Sequence, residues 1–260
     1  MNWLPFYDNL ITGLLIVLGH NTLEYAEAKH QGAFPFRWNQ LHRQGAISLW
    51  GGHSLFIFYP FLSWSGLMML GYCFGKVFTS YESTQRSKIL IGTGLGLLAF
   101  FAVLRFANVY GDPVHWSAQK NALYTFLSFM NVQKYPPSLL YICATIGPAL
   151  IFLGLVNKTG SRFSKILIVY GRVPMFYYII HFYVLTSINI LLYISRGHTI
   201  AEGLKGAPGM PWKFVAPGEG YSLAVAYAIW ISVVIALYPL CKWYDTYKSS
   251  HREKKWLSYL

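Results

Sequence analysis

Acidic side chains are scarce in this sequence. Nine Asp plus Glu face 21 Lys plus Arg, and all four types together make up 12% of 260 residues, against roughly 25% in an ordinary soluble domain. With 55% hydrophobic residues, that shortage excludes an ordinary water-facing surface. Cysteine is scarce too. Cys73, Cys143 and Cys241 are an odd number, and each lies in or at the end of an apolar stretch. That excludes a disulfide framework and a cysteine-based zinc site, and predicts three small packing residues. No basic n-region or small-x-small site accompanies the first apolar run, so no cleavable signal peptide is expected. Internal repeats, low-complexity tracts and long linkers are missing as well, which predicts a single membrane domain over 1–260. His20, His30, His42 and His53 have spacings of 12, 12 and 11. None of them share a helix turn, so no metal is expected. Of the four, His42 in "LHRQG" stands out for the resemblance described below.

The apolar stretches approach the ~20 residues that carry a helix across a hydrocarbon core. They predict an all-α, polytopic helical membrane protein with about six transmembrane helices, near Asn9–His20, Phe56–Gly75, Lys88–Ala107, Ser138–Val156, Pro174–Tyr193 and Tyr221–Cys241. The net charge of +12 would point a soluble protein towards nucleic acid. Here its placement says otherwise, and no nucleic-acid partner is expected. Lys76, Arg86 and Lys88 sit in one short connection, Lys158, Arg162 and Lys165 in another, and Lys242, Lys248, Arg252, Lys254 and Lys255 in the tail. All fall on one side of the six-span layout. By the positive-inside rule that side, and with it the C-terminus, is cytoplasmic.

The long connections on the other side, 21–55, 108–137 and 195–220, are rich in Trp, Tyr, His, Gly and Pro. Such loops favour the membrane interface, and loops of this length are uncommon unless they are functional. Pro60, Pro148, Pro174 and Pro239 interrupt or begin spans. A freed carbonyl there needs a neighbour or water in a cavity. The glycines of "GTGLGLL" (92–98) predict close helix packing.

Candidate site residues follow from this layout. Arg172 lies at the start of the helix opened by Pro174, where a guanidinium and free backbone N–H groups suit a phosphate; the plainer alternative is an arginine snorkelling to headgroups. His181, seven residues on, is an ionisable group inside a span and so a candidate proton carrier, or a histidine satisfied by a tyrosine or carbonyl. "RFANVYGDPVHW" (105–116) supplies Asn108, Asp112 and Trp116, and "LSFMNVQKYPPSLL" (127–140) supplies Lys134 and Tyr135. Aromatic, amide, carboxylate and basic groups together suit a sugar. Asp112 is the sole carboxylate in its connection, hence the candidate base there, or else a turn cap.

The run "YPFLSWSGLMMLGYCFGK" (59–76), "NVYGDPVHW", "SFMNVQKYPPSLL", "GPAL" (147–150), "GRVPMFYYIIH" (171–181) and "WLSYL" resembles the DUF1624 family of bacterial membrane proteins. The resemblance covers Leu18 to Leu260. That family is similar to the catalytic domain of heparan-alpha-glucosaminide N-acetyltransferase and, more distantly, to the acyltransferase-3 enzymes. Its members usually begin with further spans carrying an Arg-Gly pair and an Asp-His, so this chain looks like the C-terminal portion of the family domain. The resemblance implies a bacterial inner-membrane acyltransferase that takes an acetyl or other acyl group from acyl-CoA, without a metal, and delivers it to an extracytoplasmic sugar. Arg172 would then lie near the CoA phosphates, with Asn108, Trp116, Lys134 and Tyr135 near the acceptor and Asp112 and His181 as catalytic groups. The bilayer and a glycan are the expected partners, and a homo-oligomer is left open. A transporter or flippase-like protein, or a non-catalytic remnant of the family, would carry the same broken spans.

Overall fold

A computed structural model describes residues 5–32, 34–48, 50, 53–156, 162–206, 212–254 and 256–257. Lys158, Lys255 and the last three residues of "WLSYL" lie outside them. The chain is mostly helical and divides into two compact units, Met1–Lys158 and Thr159–Leu260.

The first unit runs α1 (Phe6–Gly19), α2 (Thr22–Lys29), α3 (Phe36–Leu41), β1 (Gly45–Ser48), β2 (Ser54–Ile57), α4 (Phe61–Phe74), α5 (Lys76–Ser80), α6 (Ser83–Ala107), α7 (Ala122–Met130) and α8 (Leu139–Leu155). Helices α6 and α8 pack against each other, as do α1 and α4. Gly94 in the "GTGLGLL" stretch explains the close α6–α8 approach. A Cβ built on it would stand 2.6 Å from the Gly147 carbonyl oxygen of α8, so only a bare backbone fits. Val17, Phe101, Leu139, Leu140, Ile142 and Cys143 form the core beside this seam.

The expectation of an all-α chain needs one correction. Gly45–Ser48 and Ser54–Ile57 pair as an antiparallel hairpin, with Gly45 opposite Ile57 and Ser48 opposite Ser54. Phe56, taken from the sequence as the start of a span, is therefore in a strand. The physical reason lies at Pro60, which disfavours helical geometry in the residue before it. Pro60 itself becomes the N-cap, and helix begins only at Phe61.

The second unit contains α9 (Arg162–Arg172), α10 (Pro174–Ser195), α11 (Ile200–Lys205) and α12 (Leu223–Ser250). Pro174 occupies the first position of α10 as expected. There it loses nothing, because that N–H would have no intrahelical acceptor. Val173, Cys241, Tyr244 and Leu257 form the core of this unit, and the Phe176 ring stacks on Tyr244 at 4.0 Å.

Among the described residues, three helices are long and apolar enough to cross a membrane: α6, α10 and α12. The most apolar window of α10 has no buried residue at all, a surface that suits lipid rather than water. The other three expected spans form helices of 14, 14 and 17 residues in α1, α4 and α8. At 1.5 Å per residue these reach only about 21–26 Å.

Candidate functional site

The first unit holds a polar pocket of about 390 Å³. Its walls come from two connections far apart in sequence. Glu24 and Glu27 of α2, with Arg43 and Gln44, face Gln133, Tyr135 and Pro136. The spacing of three in "TLEYAEAK" puts both carboxylates on one side of α2. They are the only acidic residues in the connection 21–55.

Each carboxylate is held from behind. Glu27 Oε1 accepts the indole N–H of Trp38 at 2.7 Å and Nδ1–H of His42 at 2.9 Å. A carboxylate has no proton to give here, so His42 must donate through Nδ1. Its Nε2 lies 3.3 Å from His20 Nδ1, and both rings are buried. The row Glu27, His42, His20 thus runs inward from the pocket wall. Glu24 Oε1 accepts from the Asn21 amide at 3.1 Å, while Asn21 Oδ1 accepts the backbone N–H of Leu139 at 2.9 Å. Asn21 thereby ties the pocket floor to the start of α8.

Burial raises the Glu24 pKa from 4.5 to about 7, the neighbouring Asp112 and Glu27 charges add to the rise, and the Asn21 hydrogen bond opposes it. A carboxyl that titrates near neutrality can both take and return a proton there. Tyr135 is shifted the other way. A hydrogen bond with Tyr59 and the nearby Lys134 ammonium, 5.0 Å from the Tyr135 ring centroid, lower its pKa. The phenol is therefore a better proton donor than an isolated one.

His20, just past the end of α1, has its pKa lowered to about 4 by burial and then by His42. The Pro137 carbonyl acts weakly in the opposite direction, but is not in hydrogen-bonding geometry with Nε2, which has no partner. The unfolded chain protonates this ring below about pH 6.5 while the folded chain holds it neutral to about pH 4. Stability from His20 is therefore complete above about pH 6.5 and is lost as the pH falls towards 4, by about 2–3 kcal/mol. Thermal unfolding of wild type and His20→Phe across pH 4–8 checks this: the substitution should flatten the slope.

The residues singled out from sequence fall into separate places. Asp112 is buried and does not line the pocket. Its oxygens accept from the Val114 N–H at 2.9 Å, the Gln133 N–H at 2.7 Å and the Ser138 hydroxyl at 2.7 Å. It fastens the second connection and positions Gln133. Asn108 and Trp116 close a loop on each other, the Asn108 side chain donating to the Trp116 carbonyl at 3.0 Å and accepting its N–H at 3.1 Å. Of the acceptor-side group only Tyr135 lines the pocket, with Lys134 against its ring.

In the second unit, His181 donates from Nδ1 to the Tyr177 carbonyl of its own helix at 3.1 Å and lies parallel to the Tyr177 ring. Arg172 is 61% exposed and pairs with Asp245 at 3.6 Å. It borders a basic pocket of about 290 Å³ with Lys248, Arg252 and Lys254. Among the described residues, no three His, Cys, Asp or Glu side chains converge as a metal site would require.

No family model, curated protein or solved structure matches this chain. Sequence reasoning passed over Glu24, Glu27, Arg43 and Gln133, although a signal existed for the first two: paired carboxylates three residues apart in a chain with only nine acidic residues.

Proposed function

We propose that this chain is a multi-pass membrane acyltransferase of the bacterial inner membrane, moving an acetyl or other acyl group from acyl-CoA to an extracytoplasmic sugar. The observation that carries the reading is the pocket beside α2, into which two carboxylates face, one of them poised near neutrality. In the transfer, Glu24 removes the proton from the acceptor hydroxyl or amine as that atom attacks the thioester carbonyl. The carbon–sulfur bond breaks, and the CoA thiolate leaves with the proton that Glu24 returns. Glu27, held by Trp38 and His42, keeps the neighbouring wall negative and helps to keep the Glu24 pKa high. Arg43 and Tyr135 are the pocket's donors for the oxyanion. The resemblance in motifs supplies the donor class; within the second unit, taken by itself, the basic pocket around Arg172 suits phosphate groups.

Incubating the reconstituted chain with radiolabelled acetyl-CoA and a panel of hexosamines and hexoses tests the reading. Label appearing in sugar supports it, and none from a folded sample sinks it. Calorimetry with acetyl-CoA isolates the donor side. Arg172→Ala should weaken binding about tenfold, the worth of a charge-assisted phosphate contact. Unchanged affinity would show that Arg172 takes no part in donor binding.

A further inference from the structure

The second unit contains a cavity that the transfer chemistry does not use. It lies between the last turns of α10 and the first turns of α12, has a volume of about 360 Å³, and is within the size range of small-molecule sites. Leu185, Ile188 and Leu192 share one side of α10 by their spacings of three and four, and Ala226 and Ile229 face them from α12. Above this apolar floor the rim is polar. Glu219 accepts from Arg196 at 3.3 Å and from His198 at 3.0 Å, and the Arg196 guanidinium lies 4.2 Å from the Tyr221 ring centroid.

The chain builds a roof over the space rather than collapsing into it. The Phe214 N–H donates to the Gly203 carbonyl at 3.1 Å, and Asn189 of α10 donates to the Phe214 carbonyl at 3.1 Å. Gly203 is required for this arrangement, since a Cβ there would stand 2.2 Å from the Phe214 ring. A capping box between Thr199 and Glu202 starts the short helix on which Gly203 sits.

We infer that this cavity holds the acyl chain of a phospholipid, with the phosphate at Arg196. Both walls belong to helices long and apolar enough to cross a membrane, so on the proposed multi-pass reading the medium at the floor is hydrocarbon. Water gains nothing in an apolar cavity, whereas the bilayer supplies acyl chains at solvent concentration. At the rim, Arg196 stands just past the end of α10, at headgroup level. A guanidinium has five N–H donors, and its partners Glu219 and Tyr221 leave several for phosphate oxygens.

Native mass spectrometry of the detergent-purified chain, titrated separately with dioleoyl phosphatidylglycerol, dioleoylglycerol and inorganic phosphate, tests the site. One phosphatidylglycerol per chain should be retained, with dioleoylglycerol at least about tenfold weaker and inorganic phosphate not retained. Ala226→Trp, which fills the cavity from an exposed position, should abolish retention. Leu240→Trp, on α12 but outside the cavity, should leave it intact. Arg196→Gln, a rim change that leaves the floor untouched, should reduce phosphatidylglycerol to the dioleoylglycerol level. Equal retention by both Trp variants, or equal binding of the two lipids in wild type and Arg196→Gln, overturns the proposal. Melting temperatures establish that each variant is folded.

Discussion

Replacing Arg105 by Met is expected to destabilise the first unit by about 3–5 kcal/mol, the cost of breaking a buried charge cluster from one side. Among the described residues Arg105 is the largest fully buried side chain, 1% exposed. Its Nε donates to the Phe129 carbonyl at 2.8 Å, Nη1 to Val114 at 2.8 Å, and Nη2 to Ser128 at 3.0 Å and Asn131 at 2.7 Å. Three of these carbonyls belong to the C-terminal end of α7, where a cation is favoured; of the three, only Ser128 also accepts a backbone N–H, that of Asn131 at 3.3 Å. The fourth belongs to the loop that Asp112 turns. Methionine would fill much of the space yet leave the Phe129, Val114 and Asn131 carbonyls unpaired and Ser128 with only the Asn131 N–H. It would also strip Asp112, 4.0 Å away, of its buried counter-ion. Arg105→Lys should recover only part of the loss, because one ammonium has three donors for four carbonyls. Thermal unfolding in detergent measures the effect, and a double-mutant cycle with Asp112→Asn isolates the pair. A loss below about 1 kcal/mol for Arg105→Met would show that the cluster is not needed.

Under the proposed acyl transfer, Glu24→Gln is expected to lower turnover by about 10²–10⁴, the usual worth of a positioned base. It should also remove an inflection near pH 7 from the rate profile, since wild type needs the carboxylate and so gains rate as the pH rises through about 7. Stability should move in the opposite sense. The folded pKa is raised above its unfolded value of 4.5, so between about pH 4.5 and 7 the folded chain holds more protons and becomes less stable as the pH rises. Above pH 7 that penalty is complete, and Glu24→Gln, which carries no charge, should melt higher than wild type while turning over more slowly. A residue of merely structural value would not split the two readouts in this way. Equal turnover in the variant would sink the assignment. Between about pH 4.5 and 6.5 the Glu24 and His20 slopes oppose each other, so the His20 slope is best measured in the Glu24→Gln background.

The helices were legible where their signals are local. Pro174 as a helix start and the close approach at Gly94, the one glycine of 92–98 that meets another helix, follow from the conformational limits of single residues. The run around Phe56 is ambiguous between strand and helix until its neighbours are known, as any short apolar run is. Asp112 drew notice as a lone carboxylate, but no local pattern indicates whether its oxygens are open or already bonded to Val114, Gln133 and Ser138. Glu24 was passed over for the same reason: burial and its neighbours make its pKa unusual, and neither is a property of "TLEYAEAK".

The amino-acid order alone determines that the chain is mostly helical and that Lys88–Ala107, Pro174–Tyr193 and Tyr221–Cys241 suit a hydrocarbon core, stretches largely contained in the three long apolar helices. Both depend on side-chain polarity summed along a 1.5 Å rise, and need no knowledge of partners. Only the tertiary structure decided that Glu24 and Glu27 share a pocket with Gln133 and Tyr135, about a hundred residues away, and that Arg105 turns inward to four carbonyls. Proton affinity and charge pairing are set by desolvation and by what the returning chain places within 3 or 4 Å, distances that exist only once the helices have packed.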